Sequence, residues 1–160
     1  KTVTIIMPEC RLRQPCPLKL LLHRQKNKTL QNKIGDLSMS EKSQAQILLE
    51  RYWEEASNQG NYELVRQLCA DPIIRHDVDG GMTKLSHDEQ IARVKMGVED
   101  FGVHIDRIIT HADDTYVTSI WETKSARDEN MNLCGIEVFK VENGRLAHCW
   151  NAPYGKGKWG

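Results

Sequence analysis

Leu133-Cys134-Gly135-Ile136-Glu137-Val138-Phe139-Lys140-Val141-Glu142-Asn143-Gly144-Arg145-Leu146-Ala147-His148-Cys149-Trp150-Asn151 decides the fold. Asn-Gly between two runs rich in β-branched and aromatic residues is a strong signal for a two-residue hairpin, because both central positions need a positive φ. The runs therefore read as two long antiparallel strands, 131–142 and 145–152. Along the first, Leu133, Glu137, Phe139 and Val141 share one face, and Cys134, Ile136, Val138 and Lys140 the other. Alternation does not decide which of these faces is buried. Either way, a carboxyl amid a long apolar strand is costly unless it is neutral, hydrogen-bonded or charge-paired, and such a cost marks Glu137 as a candidate site residue. On the second strand, Trp150 is expected on the face of Leu146 and His148.

Two further strands lie upstream, Val103–Ala112 and 115–124, joined through Asp113-Asp114. The second alternates through Val117, Ser119 and Trp121, and residues 125–130 form a polar loop. Before Gly102 the period changes. Ala45, Leu48, Leu49, Tyr52, Trp53 and Ala56 recur as one face of a helix, with Ser38 and Glu41 expected as a capping box at its start and Gly60 at its end. Asn61 opens a short second helix carrying Leu64, Val65, Leu68 and Cys69. Asp71-Pro72 breaks it, residues 73–77 read as a short strand, and Gly80-Gly81 turns the chain. Ser86 and Glu89 form another capping box, opening a helix with Ile91, Val94, Val98 and Phe101 on one side. Three helices followed by a curled antiparallel sheet make an α+β architecture. Such helices can cover only one face of the sheet, which leaves a concave apolar interior.

Composition fits one domain of this kind. Of 160 residues, 39% are hydrophobic and 28% charged, enough for a packed core. Lys+Arg and Asp+Glu both total 22, so no global positive field is available to hold a nucleic acid. The longest apolar runs are only a few residues, too short to span a membrane. Five scattered cysteines without a C-x-x-C pair suit neither a zinc site nor a disulfide framework, and point to a reducing, cytoplasmic location. Residues 1–38 stand apart: eight Lys/Arg against Glu9 and Asp36, three of the five prolines and no aromatic residue. They read as a disordered basic tail, a targeting leader, or translated sequence ahead of a start at Met39, which leaves 39–160 as the domain.

Other candidate site residues are more loosely marked. His76-Asp77 closes the short strand, and adjacency puts the two side chains on opposite faces. An inward carboxylate there could shuttle a proton, whereas an outward one would cap the following turn. Trp121 and Trp150 are core fillers or pocket walls. His104, His111 and His148 lie on different strand positions without H-x-H or H-E-x-x-H spacing, so no metal site is expected. Nucleotide-binding and nucleophile-elbow motifs do not occur, and no cofactor is expected.

Tyr52-Trp53, then Asn58-Gln59-Gly60-Asn61-Tyr62-Glu63, Leu68-Cys69-Ala70-Asp71 and Arg75-His76-Asp77, resemble the nuclear transport factor 2-like superfamily. The closing hairpin, from Ile136 through Asn151, resembles its SnoaL-like, polyketide cyclase and ketosteroid isomerase-like branch. The resemblance covers about residues 40–152. It implies a cone-shaped α+β barrel, three helices packed on a strongly curved antiparallel or mixed sheet around an apolar pocket, and a homodimer through the outer sheet face. In ketosteroid isomerase an Asp base stands where Asp77 does, and a protonated acid where Glu137 does. The oxyanion tyrosine of that enzyme falls at Trp53, with Tyr52 one residue away. SnoaL-like cyclases use a pocket Asp/His pair, which implicates His76, His104 and His148.

The resulting expectation is an enzyme acting on a mostly apolar carbonyl compound through an enolate, as isomerase, aldol-type cyclase or dehydratase. Asp77 is the expected base, and Glu137, helped by Tyr52 or His76, stabilises the enolate oxygen. Trp53, His104, Trp121, Phe139, His148 and Trp150 are the expected pocket wall. A non-catalytic binding module is the rival class. An epoxide hydrolase would need an Asp-Arg-Asp set, of which Asp106-Arg107 is a faint echo.

Overall fold

The computed structural model of the chain describes residues 41–151 and 155–159. By its internal contacts the chain divides into Lys1–Glu41 and Lys42–Gly160, and the architecture is that of the second unit. The expectations for residues 1–38, Ser38 among them, fall outside the described residues.

Helix α1 spans Gln44–Arg51 and continues as a wider π-helical segment, Tyr52–Asn58. It starts later than the sequence suggests. Glu41 precedes the helix, and Ser43 caps it by accepting the Gln46 N–H at 3.2 Å. Its apolar face is as expected: Ala45, Leu48, Leu49, Tyr52, Trp53 and Ala56 are all buried. Gly60 ends it with φ +73°, a value that excludes most side chains. A single 3₁₀ turn, Tyr62–Leu64, leads into the four-residue helix α2, Val65–Leu68. The third helix, α3, is His87–Lys95, extended by a π segment Met96–Asp100. Its capping box forms as the sequence implies, with Ser86 Oγ accepting the Glu89 N–H and Glu89 accepting the Ser86 N–H.

Among the described residues seven strands form one curved sheet: β1 Cys69–His76, β2 Met82–Leu85, β3 Val103–Ala112, β4 Tyr116–Ser125, β5 Leu133–Glu142, β6 Arg145–Asn151 and β7 Gly155–Lys156. The order is β2-β1-β6-β5-β4-β3, with β7 pairing β5 beyond the end of β6. β2 and β3 are edges, so the cone stays open instead of closing into a barrel. The sheet is mixed because β1 runs parallel to β6. That pairing ties the strand after the second helix to the far end of the sequence, and it holds the helices over the concave face. Asn143 (φ 51°) and Gly144 (φ 72°) form the expected tight turn.

Register shifts on β1, β3 and β6 decide which side chains face the helices. Between β5 and β6, Val141 pairs Leu146 but Lys140 pairs His148, so Ala147 is an extra residue on β6. From there outward, Cys149 opposes Phe139 and Asn151 opposes Glu137. On β3 a similar shift falls between Arg107 and Ile109. A one-residue insertion exchanges the two faces of everything beyond it. The core that results packs Leu49, Val65, Leu68, Ile73, Val117, Phe139 and Leu146 between helices and sheet. Asn58 closes the rim: its Nδ2 donates to Ile105 O and its Oδ1 accepts from Ile105 N–H, both at 2.9 Å. Among the described residues no helix is long and apolar enough to cross a membrane.

Candidate functional site

A cavity of about 230 Å³ opens between the helices and the concave sheet. The helical segments contribute Tyr52, Trp53 and Ser57 from the first and Gln90, Arg93, Val94, Gly97 and Val98 from α3. The sheet contributes Ile73 and Arg75 from β1, Val103 and Ile105 from β3, Trp121 and Thr123 from β4, and Leu133, Glu137, Phe139 and Asn151 from β5 and β6. The wall is mainly apolar, with a polar cluster at Glu137.

Glu137 sits in mid-β5 on the helix-facing side and is 8% exposed. Its Oε1 accepts from Cys149 Sγ at 2.8 Å. The Asn151 amide satisfies both of its neighbours in one orientation, with Nδ2 donating to Glu137 Oε1 at 2.5 Å and Oδ1 accepting from Arg75 Nη2. Burial pushes the Glu137 carboxyl above the usual carboxylate range, while the Cys149 thiol and the charges of Arg75 and Arg93 pull it partly back. Burial also raises Cys149 well above the usual thiol value, so that group stays a protonated donor.

Tyr52 stands opposite, on the first turn of the π segment. Its phenol accepts from Gln90 Nε2, and burial pushes its pKa far up, so the hydroxyl keeps its proton and can donate it onward. Gln90 is 3% exposed, and its Oε1 has no hydrogen-bond partner among the described residues. Phe139 separates the core from the cavity, edge-on to both Tyr52 and Trp53 with ring centroids 6.2 Å apart in each case.

Of the expected site residues, the structure brings Glu137, Tyr52, Trp53, Trp121 and Phe139 to this cavity. The others lie elsewhere. Asp77 follows the last residue of β1 and is exposed in the turn to β2, where its Oδ2 accepts from Thr83 Oγ1 at 3.3 Å and its N–H donates to Gly81 O. The strand ends before Asp77 can turn inward, and Arg75 takes the inward position. His76, His148 and Trp150 share the outer face of the sheet. His76 stacks on Trp150 at 4.3 Å, and its Nε2 lies 3.0 Å from His148 Nδ1. The extra residue at Ala147 places His148 and Trp150 there, where a regular hairpin would have put them opposite Phe139 and Glu137 inside. His104 is also outward, beside Asp106 at 3.5 Å. Asp106 pairs with Lys124, and Arg107 with Glu50 at 2.9 Å, so neither belongs to the cavity. Among the described residues no three His, Cys, Asp or Glu side chains converge as a metal site.

Arg75, Gln90, Arg93, Cys149 and Asn151 were not marked by the sequence reading. Arg75 shares strand parity with Ile73, and Gln90 lies one turn before Val94, so both were accessible to periodicity. Cys149 and Asn151 were hidden by the register shift.

The SnoaL-like domain pattern matches residues 49–149, more than half of the chain. No functionally curated protein matches the chain by sequence. Solved structures are similar in fold. A candidate polyketide cyclase from Acidithiobacillus ferrooxidans is 20% identical, with TM-score 0.57, covering 72% of this chain and 90% of its own. A candidate ketosteroid isomerase from Kribbella flavida is 12% identical, with TM-score 0.57, covering 71% and 80%. An LEH-like epoxide hydrolase from M. tuberculosis is 14% identical, with TM-score 0.56, covering 68% and 80%. At these identities the likeness concerns the fold.

Proposed function

The chain belongs to the SnoaL-like domain family, and on that premise we propose that it is an enzyme that enolises a small, mostly apolar carbonyl compound bound in the cavity, with Glu137 as the base. The observation that carries this reading is the placement of Glu137, the single carboxyl among the lining residues, buried and raised in pKa within an apolar wall. A carboxylate of raised pKa is a stronger base than one in water, and its charge is unscreened where the substrate lies. Both protein hydrogen bonds fall on Oε1, which orients the carboxyl and leaves Oε2 for the ligand.

In the proposed step, Glu137 takes the proton α to the carbonyl. The C–H electrons form the enolate double bond, and the carbonyl π electrons move to oxygen, where the Tyr52 hydroxyl donates a hydrogen bond. Protonation at a different carbon gives isomerisation, attack on a second carbonyl gives aldol ring closure, and loss of a β-hydroxyl gives dehydration. Glu137 thus takes the task that the family resemblance assigned to Asp77, and Tyr52 the donor task.

A second reading, a non-catalytic binding module, is favoured by one observation: with Asp77 outside, the cavity holds no second carboxyl to pair with the first. Deuterium uptake by α-tetralone in D₂O, followed by NMR, separates the two. The enzyme reading expects the protein to accelerate uptake and Glu137→Gln to abolish the acceleration while α-tetralone still quenches Trp53 and Trp121 fluorescence. Binding without acceleration by the parent protein favours the module.

A further inference from the structure

The charges lining the cavity do not balance. Arg75 on β1 and Arg93 on α3 both face it, against the single carboxyl of Glu137. They line it from opposite walls, Arg75 half-buried on the sheet beside Asn151 and Arg93 exposed on α3. Neither has a carboxylate partner at salt-bridge distance among the described residues. The hydrogen bonds of Arg75 go to neutral groups, the Asn151 amide oxygen and Cys149 Sγ at 3.8 Å. Arg93 has none among the described residues. Whether Glu137 is ionised or neutral, the cavity therefore carries net positive charge.

For the half-buried Arg75, guanidinium charge without a carboxylate partner is unfavourable, and a carboxylate is the partner that its planar fork fits in two parallel bonds, with the exposed Arg93 adding charge from the facing wall. We propose that the ligand of this cavity carries a carboxylate, held between Arg75 and Arg93, on an apolar body that fills the space walled by Trp53, Trp121 and Phe139. This rests on the reading of the cavity as a site for a small carbonyl compound and narrows it to keto acids or their vinylogues. The carboxylate is an anchor: it fixes which α-carbon faces Glu137, and it takes no part in the proton transfer.

The test uses a matched pair of probes, β-naphthoate and β-naphthamide, titrated by quenching of the intrinsic tryptophan fluorescence. The naphthoate should bind at least about tenfold tighter than the amide. Arg93→Gln and Arg75→Gln should each bring the two probes to within about threefold of one another, with amide binding unchanged. Because Arg75 also holds Asn151, its variant is read beside Arg93→Gln, which removes only an exposed side chain, and beside the thermal midpoint of each. Equal binding of the two probes, a naphthoate preference that survives both substitutions, or no binding of either at about 1 mM overturns the proposal. The outcome is separable from that of the catalytic reading. A naphthoate preference without Glu137-dependent tetralone exchange keeps the anion site and removes the enzyme. Glu137-dependent exchange with no preference does the reverse.

Discussion

Replacing Asn58 by Ala removes the clamp that joins the end of the first helix to β3. Asn58 meets both polar groups of the Ile105 peptide at 2.9 Å, as a neighbouring strand would. Because β3 is a sheet edge, no other strand can take over that role. Each of the two hydrogen bonds contributes about 1 kcal/mol, and the half-buried Ile105 N–H and C=O left behind add roughly 0.5 each, for a loss of about 3 kcal/mol. For a domain of this size the thermal midpoint should fall by roughly 8–12 °C. Asn58→Asp sharpens the test. Its carboxylate can still accept from the Ile105 N–H, but it faces the Ile105 carbonyl and the Glu54 carboxylate, which Asn58 Nδ2 reaches at 3.3 Å. It should therefore be unstable at neutral pH and recover part of the loss below about pH 4, once protonated. Urea unfolding followed by tryptophan fluorescence measures both variants, since Trp53 is on the clamped segment. A loss below about 0.5 kcal/mol for Asn58→Ala, within the range of ordinary surface substitutions, would refute the clamp.

Phe139→Ala should cost about 3–5 kcal/mol by chemical denaturation, because it opens the core beside Tyr52 and Trp53; a cost under about 1 kcal/mol would mean that the core collapses into the gap. Glu137→Gln should stabilise the protein at neutral pH. A carboxyl whose folded pKa lies above 4.5 contributes fully below that value and loses its contribution as pH rises through the folded pKa, so the gain should grow with pH and vanish under acid conditions. Unfolding curves across the acid and neutral range check the sign. On the outer sheet face, Ile74, Ile120, Ile136, Val138 and Trp150 remain only half-buried in a single copy, and we expect this face to pair with a second copy. Sedimentation at micromolar concentration should give a dimer, and a monomer would contradict it.

The architecture was legible where one local signal fixes one element. The Asn143-Gly144 turn, the Ser86 capping box and the six-residue apolar face of the first helix each specify structure within about a dozen residues. The candidate site depends on longer-range facts. Glu137 could be recognised as out of place on an apolar strand, but its partners required knowledge that Ala147 is an extra residue. Nothing in Leu146-Ala147-His148 marks a bulge, and without one, parity puts His148 and Trp150 inside. Asp77 was misplaced for a related reason. The parallel pairing of β1 with β6 sets where the inward face of β1 ends, and that contact joins residues more than seventy positions apart. Arg93 carries no sequence signal of its own, because the face of its helix is marked by apolar residues such as Val94 and Val98.

Whether Glu137 is the group that moves the proton is decided by the pH dependence of tetralone deuterium uptake beside a ¹³C titration of the Glu137 side-chain carboxyl. A base works only when ionised, so the rate should climb with pH along a single limb. The midpoint of that limb should coincide with the carbon titration, lie above 4.5 and disappear in Glu137→Gln. A Glu137 midpoint at or below 4.5, or a rate limb that survives the substitution, would contradict the account.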